Sequence, residues 1–218
     1  MASVVGNEKV LCGTTAQGAM VLGLGRIQHS GQGETIIGAW QQDKDSAASP
    51  VAAPFAAQVA EIFSQAGISC RVVDTIEQVL WKKLFVNVGI NAITALTGLR
   101  NGQLLDQEET RLLMRELVSE AISVAQAHSI EIPPDILEHV EQVAQATASN
   151  RSSMGQDVDG KRPTEIDAIN GYIVRKANEA GRAVPINHTL VRLIHTLQEH
   201  YAPSSTSCSS STATAKFC

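Results

Sequence analysis

The chain has 218 residues, 44% of them hydrophobic and 18% charged, ordinary globular proportions with enough apolar residues to bury a real core. A formal net charge of -5, with no run of Lys and Arg to neutralise phosphates, excludes a nucleic-acid binder. The four cysteines (Cys12, Cys70, Cys208, Cys218) form no CxxC pair, which removes zinc and redox-motif readings and leaves a reducing, cytoplasmic compartment as the default.

The opening MASVVGNEKV has no apolar core of signal-peptide length. No apolar run reaches the ~18 residues of a membrane span, so the chain reads as soluble, with no membrane partner. Residues 1–74 read as β-rich. Val10 to Cys12, Ala19 to Gln28 and Glu34 to Trp40 are strand candidates, with Gly31-Gln32-Gly33 as a turn. Val51 to Ala66 has helical spacing through Val51, Phe55, Val59 and Ile62, and Gly67 stops it. Cys70 to Val73 follows as a short strand. The segment is thin, with open sheet edges, as at the end of a larger α/β domain.

From Asp74 onward the pattern is helical. Asp74 or Thr75 caps a helix through Trp81 towards Leu96, with Gly98 after it. Further helices are predicted over about Asp106 to Ala127, from Pro133 and Pro134 to near Ala148, and from Thr164 to Ala180 with Gly181 as the stop. Asn187 caps a last one, to about Tyr201. Residues 202–218 are Ser/Thr-rich without apolar periodicity and read as a disordered tail. The fold class is α+β: a β-rich segment at 1–74, an all-helical domain at 75–201, and the tail.

The most informative helix carries Lys83, Asn87 and Asn91 among Leu80, Leu84, Phe85, Val86, Val88 and Ile90. At about 100° per residue, steps of four drift only ~40°, so the three polar side chains share a face. A lysine buried there would lose its charge more easily than in water, which suits proton donation near neutral pH. The asparagines offer donors and acceptors without charge, as a carbonyl or hydroxyl substrate requires. The bland alternative is that Lys83 snorkels to solvent and the asparagines satisfy loop backbone.

A second polar stretch runs Asn150-Arg151-Ser152-Ser153-Met154-Gly155-Gln156-Asp157. After it, Pro163 precedes Thr164-Glu165-Ile166-Asp167, where Thr164 and Asp167 resemble a capping box and Glu165 sits in a first turn. Ile166, Ile169, Ile173 and Ala177 form its apolar face. Taken alone, those acidic residues are caps and Asn101-Gly102 is a turn.

Together, LWKKLFVNVGINAITALTGLRNGQLL and NRSSMGQDVDGKRPTEIDAINGYIV resemble the C-terminal domain of the ketopantoate reductase (2-dehydropantoate 2-reductase) family. LCGTTAQGAMVLGLGRIQHSGQGETIIG resembles the end of that family's NADP-binding domain, and the resemblance covers about residues 8–200. It implies a 6-phosphogluconate-dehydrogenase-like helical bundle preceded by a truncated remnant of a Rossmann domain. It implies NADPH-dependent reduction of ketopantoate to pantoate for pantothenate and coenzyme A synthesis. In the family's pattern Lys83 is the general acid. Asn87, Asn91, Asn101 and Ser153 line the substrate site, and Glu165 helps hold substrate and cofactor. The resemblance also implies self-association as a homodimer.

One part of the family pattern is missing. Gly23-Leu24-Gly25 and Gly31-Gln32-Gly33 both fail the GxGxxG spacing and its strand-turn-helix context. The asparagine-glycine loop that the family sets beside the nicotinamide is also absent. A two-domain enzyme of this type needs roughly 300 residues, more than this chain has, and a fragment, a mis-started gene model and a true short paralogue all fit that shortfall. Two alternatives therefore stand beside the reductase: a non-catalytic helical module for dimerisation or binding, and a reductase of another 2-keto acid.

Overall fold

A computed structural model describes residues 10–39 and 52–201. Trp40, Val51 and the expected disordered tail over 202–218 lie outside the described residues. The chain forms two compact units: Met1–Val86 with Ala125–Ile136, and Asn87–Val124 with Leu137–Cys218. The division between these units falls inside a helix, after Val86.

In the first unit β1 (Leu11–Thr15) pairs antiparallel with β4 (Thr35–Ala39), and β4 pairs parallel with β5 (Cys70–Val72). Helix α1 (Ala52–Gln65) packs on β4 and β5. Its buried contact is Ala56, while Phe55 and Ile62, counted above as its apolar stripe, are 47% and 63% exposed. Gly67, at φ +79°, ends this helix: its N–H donates to Ser64 and that of Ile68 to Phe63.

The strand expected over Ala19 to Gln28 is a hairpin instead. β2 (Gly18–Gly23) pairs antiparallel with β3 (Arg26–Gly31). The turn is Leu24-Gly25, with Gly25 at φ +70°, a conformation that a residue with a Cβ adopts only under strain. The glycine pair Gly23 and Gly25 is thus hairpin chemistry, not a phosphate loop.

Helix α2 (Ile76–Thr97) opens on the sheet. A Cβ on Gly38 would sit 2.9 Å from the Ile76 Cβ, so the close approach of helix to β4 requires glycine there. Trp81 and Phe85, both buried, face each other with ring centroids 5.7 Å apart. By length and composition α2 could cross a membrane, which the count of apolar runs did not anticipate, yet 56% of its most apolar window is buried inside the protein, as in a core helix.

The second unit is helical. It contains the rest of α2, α3 (Gln103–Asp106), most of α4 (Glu108–Ala127) and α5 (Ile136–Ala146). It continues with α6 (Ser153–Asp159), α7 (Asn170–Glu179) and α8 (Pro185–Glu199). Gly89 lets α2 approach α4 and α5: a Cβ there would lie 3.0–3.1 Å from Val118, Val140 and Met114. Around that crossing Ile93, Leu117, Val118, Val140 and Ala144 are essentially inaccessible.

Three expected helix starts move. α5 begins at Ile136, beyond the two prolines. α8 begins at Pro185, and Asn187 is inside it, fully buried rather than a cap. The helix expected from Thr164 starts only at Asn170. Residues 166–169 are turn, and the Glu165 carbonyl accepts from the N–H groups of Ala168 and Ile169. Ile166, Ile169, Ile173 and Ala177 are nonetheless all buried. The short helices α3 and α6 have too few apolar residues to show as periodicity.

Candidate functional site: a polar face on the helical unit

Lys83, Asn87 and Asn91 lie on one uninterrupted helix at four-residue spacing, so they share one stripe of α2. The expected burial of Lys83 is not found: it is exposed, because the apolar neighbours Trp81 and Phe85 are the ones turned into the core. Its Nζ donates to the Thr15 carbonyl at 3.0 Å. That bond uses one of three ammonium donors. The β1 end thus orients the lysine without covering it.

Asn87 is half-buried and Asn91 is 5% exposed. Neither side-chain amide forms a hydrogen bond among the described residues. A turn further along, the buried Thr94 hydroxyl sits 2.8 Å from the Ile90 carbonyl and 3.0 Å from that of Asn91. The Ser152 hydroxyl lies 2.6 Å from Thr94 Oγ1 and accepts the Gly155 N–H at 2.9 Å. Proton counting gives the directions. The single Thr94 proton is drawn to its own helix carbonyls, so Ser152 donates to Thr94. Ser152 is the N-cap of α6 and puts Ser153 in that helix's first position, exposed.

Asn101 follows Gly98, whose φ of +75° ends α2. Its N–H donates to the Asn150 carbonyl at 3.0 Å, and its Nδ2 to Thr147 Oγ1 at 2.9 Å. Thr147 gives its own proton to the Val143 carbonyl, so its oxygen can only accept from Asn101. The amide orientation of Asn101 is thereby fixed. Its Oδ1 is left buried without a partner, in a residue only 8% exposed. An orphaned buried acceptor costs free energy until a donor reaches it.

Arg151 was passed over in the sequence, yet it joins these pieces. Its guanidinium donates to the carbonyls of Thr94 and Leu99 and forms a two-pronged pair with Asp159 at 2.8 and 2.9 Å. Hydrogen bonding from Arg151 holds the Asp159 carboxyl below its ordinary value of 3.8, against a smaller opposing effect of burial. The structure therefore ties together the elements bearing Asn91, Asn101 and Ser153. Glu165 is exposed, and no hydrogen bond joins its carboxylate to those residues among the described ones. The turn carrying it is held by Gln198 Oε1, which accepts the Thr164 N–H at 2.6 Å, and by the His195–Asp167 contact at 3.0 Å.

The family profile described as ketopantoate reductase PanE/ApbA C terminal matches residues 75–198. The chain belongs to the ketopantoate reductase family. It is 36% identical over 198 residues to a 2-dehydropantoate 2-reductase of Halobacterium salinarum, covering 91% of this chain and 63% of that protein. It is 38% identical over 194 residues to one of Vibrio cholerae, covering 88% and 62%. The chain thus spans about three fifths of the curated relatives it matches. A crystal structure of a PanE/ApbA family ketopantoate reductase from Ralstonia eutropha superposes with a TM-score of 0.76 at 28% identity, over 88% of this chain and 60% of that one. D-mandelate dehydrogenase in a ternary structure with NADH and anilino(oxo)acetate gives 0.81 at 25% identity, over 91% and 63%.

Relatives with a nicotinamide dinucleotide bound raise the question of fit. Among the described residues no strand leads through a glycine-rich turn into a helix, so the pyrophosphate of such a cofactor finds no cradle there. The exposed Glu165 carboxylate is suited to accept from a hydroxyl or amide.

Proposed function

We propose that this chain carries the keto-acid-binding and proton-donating part of a 2-dehydropantoate 2-reductase that acts in the cytoplasm. The observation that carries the reading is the orphaned Asn101 Oδ1, in a chain of this family whose Asn87 and Asn91 side-chain amides are also uncommitted among the described residues. Ketopantoate has a hydroxyl to give that acceptor, and a carboxylate and ketone to take donors from Asn87, Asn91 and Ser153. A nicotinamide dinucleotide, NADPH by the family resemblance, would supply the hydride, with Glu165 at the substrate and cofactor. As negative charge develops on the C2 oxygen, the Lys83 ammonium stabilises it and gives up a proton to leave a hydroxyl. Thr15, by accepting from Nζ, keeps that ammonium in one place. Self-association as a homodimer belongs to the same reading.

The test is NADPH oxidation by the protein on addition of ketopantoate, set against a panel of other 2-keto acids. Ketopantoate is expected to be preferred, and Lys83→Ala to lose about 10²–10⁴-fold in rate. An unchanged rate in that variant removes Lys83 from the chemistry. Preference for another keto acid changes the substrate and keeps the mechanism. A second reading, a non-catalytic binding module, draws on the lack of a phosphate cradle among the described residues; NADPH binding by this chain at micromolar affinity would count against it.

A further inference from the structure

The geometry points to Arg151 as a positioning residue: its guanidinium, seated in a notch left by Gly155, sets the register of the Ser152–Ser153 turn against the end of α2. The chemistry is local and over-determined. Four hydrogen bonds leave one planar group, two to the carbonyls of Thr94 and Leu99 and two to Asp159. The Thr94 carbonyl lies in the last turn of α2, where the helix dipole favours a cation, and that of Leu99 lies two residues past the helix end. Arg151 precedes the Ser152 N-cap and its partner Asp159 is the last residue of α6, so the side chain runs along α6 towards its far end.

Gly155 is what makes the path possible. A Cβ at that position would fall 2.6 Å from both Cζ and Nη1 of Arg151 and 2.9 Å from Nε. A lone flexible side chain would move aside at little cost. This one is fixed at both ends, so moving it breaks the bonds that hold α6 in place. The arginine side chain is mostly buried, whereas the Asp159 side chain is 58% exposed. A lysine cannot replace it, since a single ammonium lacks the planar fork that meets a carboxylate and two carbonyls together.

Ser153 and Asn101 inherit their positions from this clamp. Ser153 follows Ser152, whose hydroxyl bonds Thr94. Asn101 hangs on the Asn150 carbonyl, one residue before Arg151. That these two residues bind substrate rests on the proposed function above; the clamp itself does not.

The experiment follows amide hydrogen exchange and ketopantoate affinity in the full chain, for the parent, Arg151→Ala, Arg151→Lys and Gly155→Ala. Arg151→Ala is expected to speed exchange at the Gly155 and Asn101 N–H groups by about tenfold or more, while Leu117 and Val118 in α4 keep their protection. Millimolar guanidinium chloride should restore slow exchange, and the same concentration of sodium chloride should not. Arg151→Lys is expected to stay fast. Gly155→Ala, which keeps every charge, should reproduce the Arg151→Ala pattern, and this covers the case in which the arginine variant does not fold. Ketopantoate affinity should fall and recover in parallel with exchange. Unchanged exchange at Gly155 and Asn101 in both Ala variants overturns the clamp, as does restoration by sodium chloride alone. Altered exchange rescued by guanidinium, with no ketopantoate binding even in the parent, upholds the clamp and overturns the substrate reading instead.

Discussion

Thr94 and Ser152 meet hydroxyl to hydroxyl at 2.6 Å, although 58 residues separate them in sequence. This buried contact fastens the last turns of α2 to the N-cap of α6, and the polar face depends on it. Thr94→Val, nearly isosteric, removes the acceptor and leaves the Ser152 proton without a buried partner. It should destabilise the protein by about 1–3 kcal/mol. Ser152→Ala also removes the cap on Gly155 and should cost about 1–2 kcal/mol from the cap alone. Thermal unfolding of the two variants checks both, and an unshifted midpoint for either removes the fastening role.

A second test concerns the crossing at Gly89. Its missing Cβ is what brings α2 against Val118, Val140 and Met114. Gly89→Ala places a methyl group at 3.0–3.1 Å from three packed side chains. Overpacking of this kind should cost about 1–3 kcal/mol, more than the gain in helix propensity returns. Denaturant unfolding that shows a more stable variant would contradict the packing described.

The buried amides of Asn170 and Asn187 give a third. Asn170 Nδ2 donates to Asn187 Oδ1, and Asn187 Nδ2 donates to the Leu117 carbonyl and to Glu120. Glu120 also accepts the N–H groups of Ile186 and Asn187, so a side chain from α4 caps α8. Asn187→Leu takes a partner from the buried Asn170 amide, from the Leu117 carbonyl and from half-buried Glu120, and should destabilise by about 3 kcal/mol. An Asn187→Leu protein as stable as the parent, in the same unfolding assay, would show that the network contributes nothing.

Acid sensitivity follows from two carboxylates. Glu141 is held below its ordinary value of 4.5 chiefly by hydrogen bonding from Arg111, with Arg115 adding to it. Asp159 is held below its ordinary 3.8 by Arg151. For a depressed carboxyl, the stabilisation is present above the unfolded value and disappears as the pH falls through the folded one. Stability should therefore decline below about pH 4. Asp159→Asn and Glu141→Gln should each flatten that decline. Both pairs are partly exposed, so the individual effects are small. Unfolding midpoints across the acid range read this out, and an unaltered slope in both variants would count against it.

Much of this was legible in the sequence, and the failures share a cause. Gly67, Gly98 and Gly181 end helices as expected because each sits at positive φ, a demand that local sequence alone reveals. The polar stripe of Lys83, Asn87 and Asn91 was visible as spacing. What spacing could not tell was that Lys83 is exposed, since burial depends on which side of α2 meets the core. Leu24-Gly25 was hidden in an apolar run, so one strand was expected where a hairpin forms. Thr164 and Glu165 look like a helix start, but the backbone turns until Asn170, whose side chain pairs with Asn187. Arg151 went unnoticed because its Thr94 and Leu99 partners lie 57 and 52 residues away. Long-range hydrogen bonds leave no periodicity to read.

The central claim, a proposal, is that Asn87, Asn91, Asn101 and Ser153 together bind a 2-keto acid. The most direct measurement is an NMR titration of the chain with ketopantoate, followed at the side-chain amide of Asn101 and the backbone amides of Asn91 and Ser153. Saturable shifts at these three positions in the parent, with those of Asn91 and Ser153 lost in Asn101→Ala, are the predicted result. Shifts elsewhere that leave all three unmoved would contradict it.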